Sequence, residues 1–168
     1  MTEETDIAVS PKLQETCTTL YIVYALGAVL QFFDDTMLAG LLALAIAGAL
    51  ANRNRKKFRG TIFESHLRWM NRTLWIGALA LTPAAIALTC LLLFTFTDAG
   101  TLVRTLTSGN LDAIMAGTQG YLAGNLIRLE VITETTTALP VLWFVRRCWR
   151  GYVFARDAMP VDNVTSWS

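Results

Sequence analysis

The sequence predicts an all-α, polytopic membrane protein with four transmembrane helices, and three observations predict it. Hydrophobic residues make up 54% of the chain and charged residues only 16%, too apolar a balance for an ordinary soluble domain. Four apolar runs, 18–33, 37–51, 74–96 and 126–145, stand between polar connections. Eleven of the fourteen Lys and Arg residues fall in just two segments, 52–73 and 146–156.

The first 12 residues read as a polar, acidic tail on the cytoplasmic side. They lack the positive n-region and small-residue cleavage site of a signal peptide, so the first apolar run is expected to remain as an anchor. Runs one and two are short and joined by the acidic turn "QFFDDT", with Asp34 and Asp35 at its tip. They read as a helical hairpin with arms at about 13–33 and 36–51, a re-entrant pair being the alternative. Gly40 and Gly48 among the alanines of the second arm give a small-residue surface that permits close helix approach in lipid.

The third run, about 74–97, is the clearest span: about 23 residues at ~1.5 Å each reach across a ~30 Å hydrocarbon core. Pro83 inside it predicts a kink rather than a break. The fourth span is expected at about 126–146, completing a membrane domain over 13–157, with a second cytoplasmic tail at 158–168. The connection at 98–125 has one basic residue, Arg104, and is expected on the outer face, as two short interfacial helices capped by Ser108 or Asn110 or as a disordered loop. By the positive-inside rule both basic segments lie in the cytoplasm, which places both termini there.

Before the third span, "FESHLRWMNRTLWIG" reads as an amphipathic interfacial helix. Glu64 and Arg68 are spaced i,i+4 with the acid N-terminal, the favourable order, and Ser65, Arg68 and Arg72 form one polar stripe. Trp69 and Trp75 suit the headgroup level. Guanidinium groups clamp phosphate oxygens bidentately, and "NRNRKKFR" just upstream attracts anionic lipid. Ser65, His66, Arg68, Arg72, Trp69 and Trp75 are therefore candidates for lipid or partner contact, as are Arg146, Arg147 and Arg150 at the end of the fourth span. A lone histidine such as His66 also commonly serves as a hydrogen-bonded structural residue.

Glu130 and Glu134 are the candidate intramembrane polar residues. Glu134 lies about twelve residues, or roughly 18 Å, in from Arg146, near mid-bilayer in a straight helix, where an unpaired carboxylate is costly. A later start to the span would instead leave it among the outer headgroups. Cys17, Cys90 and Cys148 are scattered in apolar surroundings and imply neither a disulfide nor a zinc site.

"ESHLRWMNRTLWIG", followed by "LPVLWFVRRCWRGYVFARDAMP" and a closing "SW", resembles a group of uncharacterised small bacterial inner-membrane proteins. These pair an S-H-x-R/F-x-x-x-R-T-x-W-I-G segment with a W-x-x-x-R-x-x-x-G ending, and are distantly similar to the four-helix subunit of the chloroplast inner-envelope import machinery. The positions carried are Ser65, His66, Arg72, Thr73, Trp75, Ile76, Gly77, Trp143, Arg147 and Gly151. The resemblance implies a four-helix fold in the bacterial inner membrane and no agreed activity. The longer outer connection, "QFFDD" and the stretch 130–137 depart from the pattern.

No catalytic triad, phosphate-cradling glycine loop, metal cluster or dinucleotide fingerprint is present in the sequence. The expectation is a non-catalytic scaffold or accessory subunit, without cofactor or nucleic-acid partner, that binds anionic lipid of the cytoplasmic leaflet and a partner protein or further copies of itself. A small oligomeric channel or proton/ion-coupled transporter using Glu134 and Glu130 is the alternative, and an immunity protein against a membrane-targeting toxin a weaker one. Asn163-Val164-Thr165 matches a glycosylation acceptor that has no meaning on a cytoplasmic bacterial tail.

Overall fold

The computed structural model describes residues 10–161, which are helical apart from short connections, with no strand among them. The expectations for residues 1–9, for Asn163-Val164-Thr165 and for the closing Ser166-Trp167 lie outside the described residues. Six helices follow in order: α1 (Pro11–Leu30), α2 (Met37–Phe58), α3 (Phe63–Ile76), α4 (Thr82–Phe96), α5 (Ala99–Leu106) and α6 (Leu111–Arg156). Three helical stretches are long and apolar enough to cross a membrane: Pro11–Leu30, Met37–Phe58 and Phe63–Phe96. The chain divides into two compact units, whose described parts are residues 10–79 with 141–161, and residues 80–140.

In the first unit, α1 begins with Pro11, whose fixed φ suits the first turn and whose missing N–H costs nothing there. Cys17, Leu20, Tyr21, Tyr24 and Ala28 recur at three- and four-residue intervals and are buried. Ile22, Leu26 and Val29 on the other sides are exposed, as are Leu38, Leu41, Leu42 and Ile46 of α2. Helices apolar all round need an apolar surrounding, which is the lipid-facing pattern. A 3₁₀ turn at Asp34–Thr36 joins the two, and the Thr36 hydroxyl donates to the Leu30 carbonyl at 2.8 Å.

The small-residue surface of α2 acts at Gly40. A Cβ there would stand 2.6 Å from the Gly27 carbonyl oxygen and 2.8 Å from the Gln31 nitrogen, so backbone lies against backbone. Gly48, by contrast, would meet only ordinary contacts, 3.4 Å from Leu74 and 3.6 Å from the Tyr24 hydroxyl.

The sequence ends the second arm at about residue 51, but α2 continues through its basic residues to Phe58. Nothing between Asn52 and Phe58 breaks a helix, and Phe58 is buried, edge-on to Phe63 at 6.3 Å. The chain turns at Gly60, whose φ of +76° is the left-handed conformation glycine permits.

Between α3 and α4 the helix widens into a π-helical stretch at Gly77–Leu81, just before Pro83. Pro83 has no N–H for the Leu79 carbonyl, and the wider turn accommodates that loss without ending the helix.

In the second unit, α4 buries none of its residues, and polar side chains tie its length and its end to α6. The Thr89 and Thr136 hydroxyls meet at 2.6 Å, Thr97 and Tyr121 at 2.7 Å, and Arg128 donates to the Phe96 carbonyl at 3.3 Å. Segment 98–125 holds α5 and then the first turns of α6, so the expected second short helix is part of a helix that starts at Leu111 instead of 126. Asn110 caps it: its side-chain oxygen accepts from the Asp112 and Ala113 N–H groups at 3.1 and 3.2 Å. Gly117, Gly120 and Gly124 weaken that helix but lack the proline or cap needed to stop it.

Gly40→Ala is expected to destabilise the protein by about 2 kcal/mol, because the clash is with backbone that cannot rotate away. Gly120→Ala, where nothing lies within 4 Å, is the matched control and is expected not to lower stability. Thermal unfolding of both variants in mild detergent checks the pair.

Candidate functional site

α3 buries Phe63, His66, Leu67, Trp69, Met70 and Thr73, so one whole face of the expected interfacial helix is internal. His66 is fully buried. Its Nε2 lies 2.8 Å from the Met159 carbonyl and its Nδ1 3.1 Å from the Tyr21 hydroxyl. A carbonyl only accepts, so in the neutral ring Nε2 carries the proton and Nδ1 accepts from Tyr21. The preceding Ser65 donates to the Ile62 carbonyl and accepts from the Val161 N–H at 3.1 Å. The Ser-His pair thereby holds the segment after α6.

One turn on, the Trp69 indole N–H donates to the Arg147 carbonyl at 3.2 Å, and the Thr73 hydroxyl donates to the Trp69 carbonyl at 2.8 Å. Arg147 is 2% exposed, and its Nε donates to the Thr73 oxygen at 3.0 Å. Its guanidinium lies over Trp69, 3.7 Å from the ring centroid, and 5.0 Å from that of Trp143. A desolvated cation over an indole face gains about 2 kcal/mol. Arg150 lies over the same ring, 5.9 Å from its centroid, so two like charges share one tryptophan.

His66, Trp69 and Arg147, expected at a lipid or partner surface, are therefore inside the protein: their apolar and aromatic atoms pack, and both His66 nitrogens, the Trp69 indole N–H and Arg147 Nε bond internally. Ser65 is half-buried for the same reason. Trp75, Arg146 and Arg150 are exposed, and Arg68 is 65% exposed at its side chain, ion-paired to Glu64 at 2.6 Å. Arg72 is half-buried, and its Nε has no hydrogen-bond partner among the described residues. Glu130 and Glu134 are both exposed on α6, and neither forms an ion pair among the described residues.

Sequence reasoning missed Tyr21, Tyr24 and Gln14. Gln14 donates to the carbonyls of Ala155 and Arg156 at 3.3 and 2.6 Å, closing the end of α6. Tyr21 packs on Gly151 so closely that a Cβ there would lie 2.3 Å from the ring. A polar-tipped aromatic pair spaced i,i+3 in an otherwise aliphatic run was the available signal.

A polar cleft of about 90 Å³ opens in the same unit, lined by Tyr24 of α1, Asn52 and Arg55 of α2, and Glu64, Arg68 and Asn71 of α3. Glu64 lies N-terminal to the apolar run that begins at Leu74. Its carboxylate accepts from the Gly60 N–H at 2.9 Å, and this bond together with Arg68 holds the carboxyl below its usual range. No group of metal-binding side chains occurs among the described residues. Comparisons with protein-family models, curated proteins and solved structures found no match.

Tyr21→Phe is expected to cost about 1–3 kcal/mol, since it removes the donor to a buried ring nitrogen. Gly151→Ala, which forces a methyl into the Tyr21 ring, is expected to cost about 3 kcal/mol. Because the two act at one contact, the double variant should lose less than the sum of the singles. Unfolding midpoints of the three proteins test this; additive losses would contradict a shared contact.

Proposed function

We propose that this chain is a non-catalytic scaffold or accessory subunit of the bacterial inner membrane, kin to the small inner-membrane proteins its two motif segments resemble. It crosses the bilayer four times, through α1, α2, the apolar part of α3–α4 at 74–97, and the stretch 126–146 of α6, with both termini in the cytoplasm. The observation that carries the reading is the exposed basic group Arg53, Arg55, Lys56, Lys57 and Arg59, placed on the last turns of α2 and just after it, beyond exposed apolar residues of that helix. A helix apolar outside along its length and cationic at one end suits an anionic cytoplasmic leaflet, where each basic residue contributes about 1 kcal/mol. Lipid of that leaflet is then one partner. Exposed helix faces bearing Leu38, Leu42 and Ile46 leave room for a partner subunit or a further copy.

Neutralising Arg53, Lys56, Lys57 and Arg59 together is expected to lower retention of phosphatidylglycerol on the purified protein several-fold relative to phosphatidylcholine. Lipid extraction and mass spectrometry measure it, and unchanged retention would refute the reading.

A second reading has its own observation. Glu130 and Glu134 share an exposed face of α6 with Ile127 and Val131, which are 75% and 56% exposed. Carboxylates in apolar company at membrane depth require a proton, a cation or a neighbouring copy. A proton or ion path through an oligomer would use them, and Glu134→Gln in reconstituted liposomes would abolish the flux. No flux in the unaltered protein rejects transport.

A further inference from the structure

Tyr24 holds a hydroxyl that nothing in the fold uses. The residue is 1% exposed and its ring stacks on Phe144 with centroids 6.2 Å apart, but its hydroxyl forms no hydrogen bond among the described residues. A tyrosine hydroxyl at the edge of a core ordinarily finds a partner. This one faces the polar cleft, over Gly48, where the absence of a side chain keeps the floor open.

The other donors converge on the same space. Gly48, Asn52 and Arg55 follow at helical spacing on one face of α2, and Glu64, Arg68 and Asn71 do so on α3. Glu64 is the single carboxylate there, and both its oxygens are occupied, by the Gly60 N–H and by Nη2 of Arg68. Arg68 is thereby oriented with further N–H groups to give, and Arg55 has no ion pair among the described residues. A phenol, two guanidiniums and two carboxamides from three helices surround about 90 Å³. Donors from several directions suit a tetrahedral anion with acceptors on all sides better than a planar carboxylate.

We propose that this cleft seats one phosphate group, held by the Tyr24 O–H, Arg55 and Arg68, with Asn52 and Asn71 beside it. The inference rests on the reading that the basic end of α2 meets anionic ligand in the cytoplasm, and gives that ligand a defined site. The phosphate belongs either to a lipid headgroup or to free phosphate.

The full-length protein in detergent micelles is titrated at constant ionic strength with inorganic phosphate and, separately, with short-chain phosphatidylglycerol, and the rise in unfolding temperature is followed. The unaltered protein is expected to be stabilised by at least one of them: phosphate alone identifies the free anion, the lipid alone the headgroup. Tyr24→Phe keeps the ring on Phe144 and is expected to weaken the apparent Kd about tenfold, as is Arg55→Gln, while Arg104→Gln binds as the unaltered protein does. Stabilisation by neither probe, or equal affinity in Tyr24→Phe, overturns the seat. If phosphatidylglycerol retention falls in the Arg53, Lys56, Lys57 and Arg59 variant but Tyr24→Phe binds normally, the seat fails and the lipid-binding scaffold stands; if retention ignores both changes, the scaffold reading fails too.

Discussion

The first unit depends on a single requirement: an arginine and a histidine placed inside a helical core must find their bonds there. Burying a cation without compensation is costly, and in this core the compensation is an indole face and a threonine hydroxyl. His66 meets the same requirement with a tyrosine and a carbonyl. These bonds have direction, which apolar packing lacks, so they set the rotation of α1, α3 and the end of α6 against one another. Where lipid removes the hydrophobic drive for helix association, such bonds and close small-residue contacts hold helices in register.

The end of α6 shows how far that requirement reaches. Ala158 takes a left-handed φ of +52°, a conformation an alanine adopts only at a cost of about 1–2 kcal/mol. The Met159 N–H turns back to the Phe154 carbonyl at 2.8 Å, the Schellman closure that usually employs glycine. The strained turn is the one that presents the Met159 carbonyl to His66, and the following Val161 N–H reaches Ser65. A local backbone cost is offset by satisfying the buried His66 and the half-buried Ser65. The second unit works differently: its threonines bond back to their own helix and pair with one another across helices, with no charge brought inside.

Helical class, the three long apolar helical stretches, the α1–α2 hairpin and the Asn110 cap were legible in the sequence because each follows from composition or from a local signal. The bounds of α2 and α6 were not. Charge looks like a stop, but Arg53 to Lys57 are good helix formers, and the chain needs Gly60 before it turns. The same holds at 111–126, where three glycines lower helix propensity without supplying a terminator. Within α3 the stripe of Ser65, Arg68 and Arg72 was visible at helical spacing. That Trp69, beside this stripe, turns into the core was hidden by its polar tip, which suits a membrane interface as well as it suits a core with an acceptor in reach.

The arginines make the same point about charge. Counting basic residues treats Arg147 as equal to Arg53, yet one is enclosed by tryptophans and the other meets solvent or headgroups. The two clusters of exposed basic residues survive that distinction. With Arg147 removed from the count, Arg53, Arg55, Lys56, Lys57, Arg59 and Arg68 remain exposed before the third apolar run, and Arg146, Arg150 and Arg156 at the end of α6. What changes is the meaning of the W-x-x-x-R-x-x-x-G segment. Trp143 and Arg147 share a cation–π contact, and Gly151 admits the Tyr21 ring one turn on, so the spacing of four records helix packing. A motif that reads as a cationic belt is a device for closing three helices on a buried cation, and the residues left to meet a ligand are those its neighbours do not use.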